Sequence, residues 1–138
     1  MPARDIFHQA VKVALQKEGW LITHDPLSIT AGGVDLYIDL GAERLLAAER
    51  DDEKIAVEIK SFLSSSLVTE FHTALGQFLN YRLALATEQQ MRELYLAVAD
   101  DTYQTFFTLP FIQLALAQYQ VKVLIFNPEK AEISSWKN

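Results

Sequence analysis

The 138-residue chain contains no cysteine. That absence excludes disulfides, zinc–thiolate centres and cysteine nucleophiles, and it predicts a protein made and kept in the cytoplasm. Long hydrophobic runs are also missing. Charges interrupt every apolar stretch well before the roughly 18 residues that a membrane span requires, so no membrane association is expected. The opening residues, Met1 to Asp5, do not lead into the apolar core of a secretory leader, and none is expected. Basic clusters are lacking too. The 12 Lys and Arg are scattered singly from Arg4 to Lys137 and are outnumbered by 18 acids, for a net charge of −6. Phosphate backbones attract grouped cations, so composition does not predict tight unaided binding to nucleic acid. Any such role must rest on a local site, a metal ion or a partner.

What is present is apolar. Half of the residues are hydrophobic, enough at this length to bury one core in a single domain spanning residues 1–138. Residues 3–18 read as a helix, with Ile6, Phe7, Ala10, Val13 and Ala14 at helical spacing and Gly19 as its end. Residues 20–23 form a short strand closed by His24-Asp25-Pro26, and Gly32-Gly33 turns the chain into a second extended piece at 34–38. Ser64, Ser65 and Ser66 are N-cap candidates for a long helix to about Thr87. Its expected apolar set is Leu67, Val68, Phe71, Leu75, Phe78, Leu79 and Leu83, opposite a polar stripe of Glu70, Thr73, Gln77 and Tyr81. Residues 94–98 make a central strand, 103–119 a helix broken at Pro110, 121–126 another strand and 132–136 a closing one. The predicted fold is α/β (α+β), with element order αβββαβ followed by αββ and a mixed sheet flanked by helices.

The segment from Glu43 to Lys60 carries the most information. Residues 44–50 and 53–59 alternate in polarity and flank Asp51-Asp52, a candidate two-residue turn. That turn sets Glu49 opposite Lys54, Leu45 opposite Glu58 and Glu43 opposite Lys60. One face then holds Leu46, Ala48, Ile55, Val57 and Ile59, and the other Glu43, Leu45, Ala47, Glu49, Lys54, Ala56, Glu58 and Lys60. A one-residue slip would mix the two sets.

Hydrolysis of a phosphodiester needs charge neutralisation and an activated water. A carboxylate-held Mg²⁺ or Mn²⁺ supplies both, and Mg²⁺ takes only one or two protein carboxylates. A nearby lysine steadies the developing negative charge. Glu58 and Lys60, two residues apart on an interior strand, are therefore the candidate acid and ammonium. Glu-x-Lys alone describes many solvated strands, but burying such a pair is costly without a purpose or a partner. Glu43, favoured by register, and Asp39 are the candidates for the second metal ligand. Asp35 is assigned to a turn or outer face. Gln77 and Tyr81 are candidates to reach the site across the sheet, and Asp5 and His8, one helical turn apart, are weaker ones. His24 and His72 have no zinc-type spacing. Glu49 and Lys54 read as a cross-strand pair.

Asp-Leu-Gly-Ala-Glu (39–43), Ala-Glu (48–49), Ile-Ala-Val-Glu-Ile-Lys-Ser-Phe (55–62) and Ala-Leu-Gly-Gln-Phe-Leu-Asn-Tyr-Arg (74–82) resemble the XisH family, cyanobacterial fdxN element excision controlling factors. The opening from Asp5 through Trp20 to Pro26 is similar as well. The resemblance implies a restriction-endonuclease-like PD-(D/E)XK core and an accessory role in programmed DNA excision, with DNA as substrate and an XisI-like protein as partner. It also implies that Glu58 and Lys60 match the second acid and the lysine of the nuclease motif. The motif's first acid is an aspartate after proline. This chain has no Pro-Asp, so Glu43 or Asp39 must take that place. The acidic balance makes pairing of subunits, as a homodimer, a natural way to add basic surface.

Overall fold

The computed structural model describes residues 5–44 and 53–138. Helix α1 (His8–Lys17) is followed by strand β1 (Leu21–His24), a hairpin of β2 (Leu27–Ala31) and β3 (Val34–Ile38), and strands β4 (Leu40–Arg44) and β5 (Glu53–Ile59). Helix α2 (Leu67–Thr87) leads to β6 (Glu93–Ala99). A single helical turn α3 (Asp100–Thr102) then widens into a π-helical stretch, Tyr103–Phe107, before α4 (Pro110–Gln118), β7 (Val123–Asn127) and β8 (Glu132–Lys137). Six strands form one mixed sheet in the order β1-β4-β5-β6-β7-β8, with β5–β6 and β6–β7 parallel and the other neighbours antiparallel. The expected mixed sheet flanked by helices is what the chain forms. The hairpin β2–β3 stands outside that sheet, and β2 was not among the predicted strands.

The interior strands β5, β6 and β7 are apolar on both faces because both are covered. Val11 and Leu15 of α1 pack on Leu40, Ala42, Ile55, Val57, Ile59, Leu124 and Phe126. The opposite face, with Ala56, Leu94, Leu96, Val98, Val123 and Ile125, is covered by α2, α4 and the hairpin. Ser66 caps α2, its side chain accepting from the Thr69 amide at 3.3 Å, while Glu70 accepts from the Ser64 amide at 3.0 Å. The buried face of α2 is Phe71, Ala74, Phe78, Tyr81, Ala84 and Leu85. This differs from the predicted face: Val68 and Leu83 are exposed and Tyr81 is in the core. The helix is apolar on most sides, so pattern alone left its rotation open. The small Ala74 and Ala84 let the helix lie close to the sheet. Pro110 opens α4 within its first turn, as predicted.

The β4–β5 pairing departs from the expected register by six residues. Glu43 lies opposite Lys54 and Leu40 opposite Val57, whereas the two-residue turn set Glu43 opposite Lys60. Of the strand predicted at 44–50, Arg44 lies in β4; residues 45–50, Glu49 among them, and the turn at 51–52 lie outside the described residues. A slip by an even number leaves every side chain on its original face. The alternation of polarity therefore could not detect it.

Arg92, just before β6, holds this register. Its buried guanidinium donates from Nη1 to the Ile55 carbonyl at 3.1 Å and to the Ala42 carbonyl at 3.4 Å, and Ala42 and Ile55 are cross-strand partners. Glu43 Oε1 is 3.7 Å from its Nη2. Burial lowers the Arg92 pKa and Glu43 opposes that fall. Replacing Arg92 by Met should cost about 2 kcal/mol through the carbonyls left without a donor. Urea denaturation would show a lower midpoint at unchanged slope; a loss below about 0.5 kcal/mol would mean that the register is held elsewhere.

Candidate active site

The observed register brings Asp39, not Glu43, to Glu58. Asp39 ends the segment joining the hairpin to β4, one residue before Leu40. Its amide donates to Glu58 Oε1 at 3.4 Å, and its own Oδ2 accepts from the Ile59 amide at 2.8 Å. Lys60 follows β5, and its amide continues the ladder by donating to the Ala97 carbonyl at 3.1 Å. Its Nζ lies 3.4 Å from Glu58 Oε2. Two residues on, the Phe62 ring meets Phe107 edge-on at 5.2 Å, anchoring the strand's exit. Asp39, Glu58 and Lys60 thus form one cluster where β4 begins and β5 ends.

Glu43 is not part of it. Its carboxylate is engaged with Lys54 at 3.9 Å and with Arg92. Asp35 is on the exposed hairpin, accepting from the Thr30 hydroxyl at 2.7 Å. Asp5 accepts from the Phe7 amide at 2.9 Å and so serves the start of α1. His24 shares a 2.9 Å contact with Thr23, and His72 is exposed on α2.

Among the described residues, His8 and Glu58 are the two buried polar side chains, and both belong to this end of the sheet. Burial, then the negative charge of Asp39, pushes the Glu58 carboxyl up to about 8, against the pull of Lys60. Burial also raises Asp39, opposed by the Ile59 amide, by the hydrogen bond with Glu58, and by His8 and Lys60. Contact between the two acids therefore favours one shared proton over two negative charges. Two like charges in a poorly solvated contact do not both ionise.

From α2, Tyr81 faces this pair. Burial, then the charges of Glu58 and Asp39, raises its phenol to about 12, so it remains a neutral donor. One turn before it, the half-buried Gln77 has a buried Oε1 without a hydrogen-bond partner. On the other flank, Asp25 Oδ1 is 2.7 Å from His8 Nε2, and Asp25 Oδ2 accepts from Lys12 Nζ at 2.8 Å. Burial raises the Asp25 carboxyl, but the hydrogen bonds from Lys12 and His8 outweigh it and hold the group low. Asp25 and Lys12 were not among the predicted site residues. The His8–Lys12 spacing, one turn along α1, was the legible signal; their convergence on Asp25 needed the position of the β1–β2 connection.

Among the described residues no three or more His, Asp or Glu side chains group to hold a metal ion, so a zinc-type site is not indicated. Two carboxylates suffice for Mg²⁺, which keeps most of its waters. Asp39 and Glu58, sharing a proton that a divalent cation would replace, fit that demand.

The sequence matches the XisH protein family over residues 1–134. No match was found among curated proteins. Among solved structures, an XisH family protein from Nostoc punctiforme PCC 73102 is 55% identical, with a TM-score of 0.88 over 97% of this chain and 100% of its own. An fdxN element excision controlling factor protein from Anabaena variabilis is 51% identical, with a TM-score of 0.88 over 98% of this chain and 100% of its own. Matched over nearly its whole length in both sequence and backbone, the chain belongs to the XisH family.

Proposed function

We propose that this protein is an excision controlling factor that acts as a Mg²⁺- or Mn²⁺-dependent DNA endonuclease of the restriction-endonuclease-like type, in the programmed excision of a DNA element. The observation that carries this reading is the carboxyl pair of half-buried Asp39 and buried Glu58, with the Lys60 ammonium 3.4 Å from Glu58. Asp39 and Glu58 would hold the cation, which when bound supplies Lewis-acid polarisation of the phosphate and a more acidic water. The chain's own groups do the rest. Lys60, fixed by the β6 ladder, balances negative charge building on the phosphate. The neutral Tyr81 hydroxyl and the Gln77 amide offer hydrogen bonds to the same group from α2. The burial of Glu58 keeps water scarce there and strengthens each of these interactions.

Charge favours a companion chain. Among the described residues Lys12, Arg44, Lys54, Arg92 and Lys122 are each paired with an acid, and the net charge of −6 does not favour a DNA backbone. A second copy or an XisI-like protein would contribute basic surface. The same acidic balance supports a second reading, in which the chain keeps the nuclease fold but acts only by binding such a partner.

Plasmid DNA incubated with Mg²⁺ or Mn²⁺ and this chain, alone and with an XisI-like protein, separates the two readings. Nicking that falls at least about 100-fold in both Lys60→Ala and Glu58→Ala is the expected result. Cleavage surviving both changes rejects the site. No metal-dependent nicking, with stable co-purification of the partner, selects the binding reading.

The acid pair also predicts how stability varies with pH. Glu58 binds its proton more tightly folded, at about 8, than unfolded, at its ordinary value near 4.5. Between those values the folded state holds more protons than the unfolded one, so stability falls as pH rises. With chelator at pH 8, Glu58→Gln should melt roughly 5 °C or more above the parent, and the gap should close towards pH 4. Calorimetric melting across that range checks this; parallel curves for the two proteins would contradict the raised pKa of Glu58.

A further inference from the structure

A surface helix ordinarily turns polar groups to water, and α4 does not. Its inner side, Ile112, Ala115 and Leu116, packs into the core. On the outer side Phe111 is 70% and Leu114 67% exposed. Pro110, Phe111, Leu114, Ala117 and Gln118, all exposed, share an outer arc of roughly 120° centred on Leu114. Of helices α1 to α4, α4 alone has no charged residue, and no Asp, Glu, Lys or Arg occurs from Thr102 to Val121. A helix apolar on both sides is one built to be covered.

Charge decides what covers it. A nucleic acid needs cations, and this stretch has none. A helix lying in a membrane surface carries Lys and Arg on its polar side, and α4 lacks them. A basic protein would be drawn to the acidic remainder of the chain rather than to its neutral part. A second copy is in the opposite position. Two chains of net charge −6 repel, and they meet with least repulsion where neither is charged. A two-fold contact brings a surface against itself, which apolar groups tolerate and charges of one sign do not.

We propose that α4 is a self-association surface, pairing antiparallel with α4 of a second copy about a two-fold axis at Leu114. Leu114 is the middle residue of Pro110–Gln118, so it meets its own counterpart. The same axis sets the bulky Phe111 of each copy against the small Ala117 of the other, three residues to either side. The pairing goes beyond the nuclease reading and does not depend on it, since Asp39, Glu58 and Lys60 lie on other elements.

Sedimentation equilibrium of the full chain, 15.6 kDa as a monomer, tests the pairing. One short helix is a small face, so the dissociation constant should be roughly 10 µM or above. Leu114→Glu sets two like charges together at the axis and should raise that constant at least about 10-fold. Because the side chain is exposed, the melting temperature in dilute solution should stay close to the parent's. Val34→Glu, at an exposed position on the β2–β3 hairpin, should pair as the parent does. The chain has no cysteine, so Leu114→Cys should oxidise to a disulfide-linked pair while Val34→Cys stays single. A parent monomeric up to about 1 mM, or pairing lost in Val34→Glu and kept in Leu114→Glu, would overturn the proposal. So would a monomeric parent whose complex with a companion protein of another sequence is lost in Leu114→Glu, which would give the face to that protein.

Discussion

Asp39 and Glu58 meet as carboxyl groups where water is scarce, and much of the surrounding structure answers to that contact. Left ionised, the two would repel; the folded chain instead keeps one proton between them and arranges Lys60, the Ile59 amide and the neutral Tyr81 hydroxyl around the remaining charge. Placing such a pair beneath a helix lowers stability. The cost is offset by an apolar sheet covered on both faces, in which β5 and β6 are almost wholly buried. The pair exists only because β4 and β5 run in the register that Arg92 holds. One guanidinium, hydrogen-bonded to the Ala42 and Ile55 carbonyls, ties the two strands together in that register.

Much of this was legible before any coordinates. Helix α1, the cap and length of α2, the central strands β6 and β7, the start of α4 at Pro110 and the closing strand follow from periodicity and punctuation, because each is a local consequence of where apolar groups can be buried. Glu58 and Lys60 were legible for the same reason: a charged pair on a strand as apolar as 55–59 stands out. The partner acid was not. Glu43 in β4 and Asp39, just before that strand begins, lie four residues apart, and both satisfy alternation. Choosing between them needed the register, which an even slip conceals. The rotation of α2 was hidden by a related ambiguity, since a helix apolar on most sides does not declare its inner face. That cost the sequence reading the placement of Tyr81 in the core. The hairpin strand β2 escaped because its pattern, Leu-Ser-Ile-Thr-Ala, is short and sits between two turn signals. In the Asp25–His8–Lys12 cluster the helical spacing of His8 and Lys12 was legible, but no spacing rule connects them to Asp25 on another segment.

The balance of charge bears on how such a site would be used. A chain with 18 acids against 12 Lys and Arg has little long-range attraction for a polyanion. Under the proposed function, a divalent ion at the acid pair and basic surface from a companion chain would address that deficit at different distances, one at the scissile phosphate and the other along the backbone. This division agrees with a family whose members include a protein described as controlling the excision of a DNA element.

The central claim is that Asp39 and Glu58, and not Glu43, make up the cation site. Titration of the protein with Mn²⁺, followed by electron paramagnetic resonance, tests it most directly. The account predicts binding of about one ion per chain, lost in Asp39→Asn and retained in Glu43→Gln. Loss of binding in Glu43→Gln, or its persistence in Asp39→Asn, would contradict it.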